Sequence, residues 1–225
     1  MAKQSNWSDS YWLLLMQLYL RKPVGIKPVY SRGMVELALE LHVHPKVLFT
    51  RMCSIASLET PGLERLWQTY STSPRRLTKA VAQLRAMNGF NTSGGFYEGV
   101  AVAETFETDF RPVEGCGGLT PMGLVIVLDL YFRLTPVTMV ADTPELAELA
   151  RLMGTTAQQI VDVMGCFRRF DPYLRRTTSV SPAAASCVQA ESPLYAACRT
   201  VWARYGNVSL NALASFATEL KEYFR

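Results

Sequence analysis

Histidine is nearly absent from this chain: among 225 residues there are only two, His42 and His44. A His-x-His pair needs further ligands to hold a metal, and Cys53, one helix away, stands at no ligand spacing. The five cysteines are an odd number with no CxxC pair, which signals neither a disulfide framework nor a zinc site and leaves reduced, structural thiols. Gly-rich phosphate loops, GxSxG and HExxH are all missing, and with them the usual signatures of phosphoryl transfer, serine hydrolysis and zinc proteolysis. No apolar run reaches the roughly 18 residues that cross a bilayer. The expectation is a cytoplasmic protein that is not an enzyme, carries no cofactor or metal, and has no membrane partner.

What the chain does have is a copy of its own pattern. Shifted by 112 positions, Tyr11 to Leu58 falls on Gly123 to Phe170 without a gap. Leu18-Tyr19-Leu20-Arg21 meets Leu130-Tyr131-Phe132-Arg133, Glu36-Leu37-Ala38 meets Glu148-Leu149-Ala150, and Met52 meets Met164. Seven of these 48 positions are identical, so the stronger signal is the phase of apolar and polar residues. Leu13 to Met16 meet Val125 to Leu128, and polar Gln17 meets Asp129. The likeness resumes at a shift of 135, where Leu66-Trp67 and Tyr70 meet Val201-Trp202 and Tyr205. The Ala/Ser/Thr-rich stretch 177–192 takes up the extra residues as a loop or flexible insertion. The organisation expected is helical unit 1 over 1–87, a Gly-rich connector over 88–119, and helical unit 2 over 120–225.

The apolar run Tyr11 to Leu20 follows Lys3 and could pass for an export signal. It carries Trp and Tyr, lacks a small-residue cleavage site, and recurs inside the chain, so it reads as a core helix. Ser8-Asp9 and Thr120 are N-caps for two apolar helices that run to about Arg21 and Arg133, with Pro23 and Pro136 beyond them. Further helices are expected at Met34 to Leu41 and Pro45 to Ser57, then at 62–70 and 74–87. Unit 2 is expected to repeat them at Pro144 to Met153, Thr156 to Arg168, 193–205 and 209–224. The fold class is all-α, with about ten helices and little sheet.

Within each unit two short helices follow one another closely. Leu149-Ala150-x-x-Met153-Gly154 is followed by Ile160 and Val163, and Leu37-Ala38-x-x-Leu41-His42 by Leu48. Small Ala lets the helices cross, Gly permits the turn, and the later apolar residues hold the second helix to the first. This spacing resembles the helix-turn-helix superfamily, near 34–57 and 144–168. The match is poorer in the first copy, where His42 replaces the turn Gly and Arg51 replaces an apolar residue. The resemblance implies duplex DNA as a partner. It places His44, Lys46, Phe49 and Thr50 outward in the first copy, and Thr156, Gln158, Val161 and Asp162 in the second. His44, Lys46 and Thr50 are the polar candidates for contact with DNA. The second set is a thin group of base readers and suits a scaffold.

Charge separates the units further. Residues 1–87 hold 12 Lys/Arg against 5 Asp/Glu, residues 88–119 hold 1 against 5, and residues 120–225 hold 10 against 9. Arg75, Arg76 and Lys79, with Arg85 beyond, open a helix with a basic face that suits phosphate contact without sequence readout. A solvated helix face is the alternative. The connector carries Glu104-Thr105-Phe106-Glu107-Thr108-Asp109-Phe110, with Phe106 and Phe110 spaced to share one helix face. It is expected either to dock on basic unit 1 and compete with its anionic ligand, or to serve as an ordered strap. Two functions follow: a non-catalytic, DNA-associated regulator, or a helical module that binds another protein or a second copy of itself.

Overall fold

The computed structural model describes residues 7–87, 106–174 and 192–225, and among them every regular element is an α-helix. The insertion at 177–191 and the connector's 88–105 lie outside the described residues. The chain divides into two compact units, Met1–Glu104 and Thr105–Arg225.

Unit 1 holds α1 (Asp9–Leu20), α2 (Arg32–Leu41), α3 (Pro45–Ser57), α4 (Pro61–Tyr70) and α5 (Pro74–Ala86). Proline opens α3, α4 and α5, a position whose missing N–H costs the helix no bond. The Thr60 hydroxyl accepts the Leu63 amide, closing the start of α4. α1 is the spine: its consecutive residues Leu14, Leu15 and Met16 are buried, which requires neighbours on more than one side. α2, α3 and α5 pack against it. Met34, Val35, Leu48, Met52, Ile55, Leu77 and Val81 fill the space between them.

Unit 2 opens with the short α6 (Phe106–Phe110), followed by α7 (Pro121–Arg133), α8 (Pro144–Met153), α9 (Ala157–Phe170), α10 (Pro193–Tyr205) and α11 (Leu210–Lys221). α7 is buried from Gly123 through Tyr131 and is covered by α6, α9, α10 and α11. Burial of its two polar residues is matched by bonds. Asp129 Oδ2 accepts Arg133 Nη2 at 2.7 Å, and the Tyr131 hydroxyl donates to Asp171 Oδ2 at 2.9 Å. Burial is the first cause that pushes the Tyr131 hydroxyl far above its ordinary pKa, and the bond to Asp171 adds to it.

The helix bounds coincide closely at the 112-residue shift. Arg32–Leu41 becomes 144–153, the bounds of α8, and Pro45–Ser57 becomes 157–169, within one residue of α9. Tyr19 meets Trp67 edge-on at 5.8 Å in unit 1, and Tyr131 meets Trp202 edge-on at 6.1 Å in unit 2. Trp202 also touches Phe132, Phe167 and Phe170, so among the described residues unit 2 has the larger aromatic cluster.

The described part of the expected connector, 106–119, falls in the second compact unit. Phe106 to Phe110 form α6, as the i, i+4 spacing predicts, but this helix belongs to unit 2. Phe110 is buried beside Tyr223 at 6.0 Å, and Asp109 pairs with Arg204 at 3.1 Å. Burial of the aromatic ring and the opposite charge on α10 hold the described part of the acidic run there.

The turn between the paired helices is left-handed in both units: His42 has φ 53° and Gly154 has φ 65°. Glycine adopts this conformation freely and other residues pay about 1–2 kcal/mol. A Cβ on Gly154 would meet nothing within 4 Å, so Gly154→Ala tests the backbone term alone. The expected result is a loss of about 1 kcal/mol, read as a melting temperature a few degrees lower. An unchanged melting temperature would show that this turn tolerates Cβ without strain.

Candidate nucleic-acid interface

Local bonds fix the α2–α3 pair. The amides of His42 and Val43 both turn back to the Ala38 carbonyl, which ends α2. His44 then caps α3, its Nδ1 accepting the Lys46 amide at 3.1 Å. Only an unprotonated Nδ1 accepts a bond. His44 is therefore half-buried and committed to the cap. Lys46 is exposed. Thr50 is exposed too, but its hydroxyl donates to the Lys46 carbonyl at 3.0 Å, leaving only lone pairs for a ligand.

Arg51, which stands at an apolar position of the pattern, places its guanidinium 5.5 Å from the centre of the Trp7 ring. That cation–π contact explains how a charge occupies this place without entering the core. The expected outward residue Phe49 is half-buried.

α5 presents the second candidate set. Leu77 and Val81 turn inward, which leaves Arg75, Arg76 and Lys79 exposed. Arg76 lies 5.5 Å over the Tyr70 ring. Among the described residues no carboxylate pairs with any of the three. Arg85 differs from the expectation: its Nε and Nη2 grip the two oxygens of Glu40 at 2.6 and 2.7 Å. This bidentate bond raises the Arg85 pKa and removes the residue from the free basic face. Lys27 is likewise engaged, its ammonium donating to the carbonyls of Arg21 and Pro23. Desolvation, then the charge of Arg21, lowers its pKa. α3 and α5 both pack on α1, so the two candidate sets lie on separate helices that share one support.

In unit 2 the matching positions are tied to one another. Thr156 and Gln159 form a reciprocal capping box at the start of α9. Gln158 donates to Asp162 Oδ1 at 3.0 Å, which uses the amide best suited to reading a base edge. Gly117 packs against this start, where a Cβ would strike the Gln159 amide. Among the described residues, no three His, Cys, Asp or Glu side chains are grouped to hold a metal ion, and no helix is long and apolar enough to cross a membrane. Comparison with known proteins found no matching family model, no matching curated protein and no matching solved structure.

Proposed function

We propose that the chain is a non-catalytic, DNA-associated regulatory protein built from two like helical units with helix-turn-helix-like cores. Basic unit 1 contacts duplex phosphates, and unit 2 provides scaffold or pairing surface. The observation that carries this reading is the exposed trio Arg75, Arg76 and Lys79 on α5, which meets no carboxylate among the described residues. A cation already neutralised by a protein carboxylate gains little from a phosphate, whereas an unpaired one releases a counterion from the duplex for each contact it makes. The left-handed turn at His42 and the exposed Lys46 beyond it agree with the same reading. In unit 2 the outward amide and acid of α9 bond to each other, which favours a supporting role there. The shared helix bounds and the Tyr–Trp contact in each unit support an origin of the two units from one module.

Titration of the full chain into a labelled random-sequence duplex tests this reading. The expected result is binding at low salt that weakens as salt rises, with a log–log slope of about −0.9 for each phosphate contacted. Failure to bind at low salt retires it. The second reading, a helical module for a protein partner or for self-association, is favoured by the loop between α7 and α8. Val137 and Val140 are 84% and 49% exposed there, and exposed apolar residues of this kind suit a protein contact.

A further inference from the structure

Unit 1 holds an open cavity of about 790 Å³ between α1, α2 and α5. Leu14, Leu18, Leu37 and Leu77 give it apolar walls. Its volume lies within the roughly 300–1,000 Å³ of small-molecule sites. Gly33, at the start of α2, belongs to the lining: a Cβ there would come within 2.8 Å of Leu18 Cδ1, so this residue lets the walls approach without filling the space.

Charges around the rim are unequally used. Arg85 and Glu40 neutralise each other, and Glu36 faces Arg32 at 3.8 Å. Arg21 and Lys22 also line the cavity, and among the described residues neither has a carboxylate within ion-pair reach. The nearby Lys27 ammonium caps the Arg21 and Pro23 carbonyls, so those oxygens are already satisfied and present less negative potential to an incoming anion. One end of an apolar cavity is therefore positive.

Unit 2 holds the matching cavity, about 600 Å³, lined by Leu130, Leu149, Arg133, Glu145 and the C-terminal Phe224 and Arg225. By the 112-residue shift Leu130, Leu149 and Arg133 stand for Leu18, Leu37 and Arg21. Arg151, Lys221 and Glu148 line it too, and two differences change the setting of the arginine. Asp129 replaces Gln17 and pairs with Arg133 at 2.7 Å, and Glu145 replaces Gly33. The arginine that meets no carboxylate among the described residues of unit 1 is paired with one in unit 2.

We propose that the unit 1 cavity binds a small amphipathic anion, an apolar chain or ring system ending in one carboxylate-like group, with the apolar part between α1, α2 and α5 and the anionic group on Arg21 and Lys22. This goes beyond the duplex reading and does not depend on it. A charged hydrogen bond over an apolar floor supplies both affinity and orientation.

Calorimetric titration with decanoate tests the proposal, with decylammonium as the charge-reversed probe. Decanoate is expected to bind one site per chain, at least about tenfold more tightly than decylammonium, the difference that one charged hydrogen bond makes. Gln17→Asp installs the unit 2 arrangement beside Arg21, and Thr78→Trp fills the mouth from an exposed lining position. Each is expected to weaken decanoate about tenfold or more, while Arg133→Ala leaves its binding unchanged. If circular dichroism shows that Gln17→Asp has lost its helices, Arg21→Ala at an exposed position carries the charge test. Absence of decanoate binding overturns the proposal. So does equal affinity for both probes, or undiminished binding by both the charge variant and Thr78→Trp.

Discussion

Phe167→Ala is expected to remove about 3–5 kcal/mol from unit 2, the range found when a buried aromatic ring is truncated. Phe167 is 0% exposed. Its ring lies 6.0 Å from Tyr131 and 6.2 Å from Trp202, so deletion strips one face from each of two large neighbours. Tyr131 cannot move in to fill the gap without giving up its bond to Asp171, and the cavity persists. Phe167→Leu keeps most of the apolar volume and is expected to cost about 1–2 kcal/mol. Urea denaturation followed by tryptophan fluorescence reads both losses. A loss below about 1 kcal/mol for the alanine variant would show that the ring cluster closes around the deletion.

The second large effect concerns binding. Replacing Arg75, Arg76 and Lys79 together by Ala removes three exposed cations while Leu77 and Val81 keep α5 packed. Alanine is also the best helix former, so the fold is retained. Duplex affinity at low salt is expected to fall more than tenfold, and the salt slope to shrink by roughly 2–3, about one phosphate contact per residue. Arg85→Ala is the control for one charge: it removes a single cation from the same helix, but from a guanidinium held by Glu40, and should leave the slope unchanged. A slope change of about one third of the triple variant's from Arg85→Ala would mean that net charge, not this face, governs the interaction.

The helices were largely legible because their starts are written locally. Thr60-Pro61, Ser73-Pro74, Thr143-Pro144 and Ser192-Pro193 each place a capping residue before a proline, and each begins a helix. The left-handed turn was legible at His42 because the paired pattern required one there, whichever residue occupied it. The exposed face of α5 followed from the clustering of Arg75, Arg76 and Lys79 at its start.

Long-range pairing was not legible. Arg85 and Glu40 are 45 residues apart, and no local signal marks Arg85 as neutralised while Arg75 and Lys79 are not. Arg51 looked like an error in the pattern because the ring that accommodates it, Trp7, lies on an earlier segment. The acidic run around Asp109 seemed suited to the basic unit by charge alone. Its partner is Arg204, 95 residues further on, which only tertiary packing selects. The unit 1 cavity was equally hidden, since its walls come from three helices and its positive end depends on Gln17 not being an acid.

Helix starts marked by a hydroxyl residue and a proline have a consequence for how such a chain can be rearranged. Each boundary is set by residues within one turn of it, so a segment cut at these points carries its own instructions for where order begins. It needs no neighbour to define its ends, only one to cover its apolar side. Sequences of this kind tolerate being excised, reordered or joined to new termini, which makes Thr60-Pro61 and Thr143-Pro144 natural seams for circular permutation.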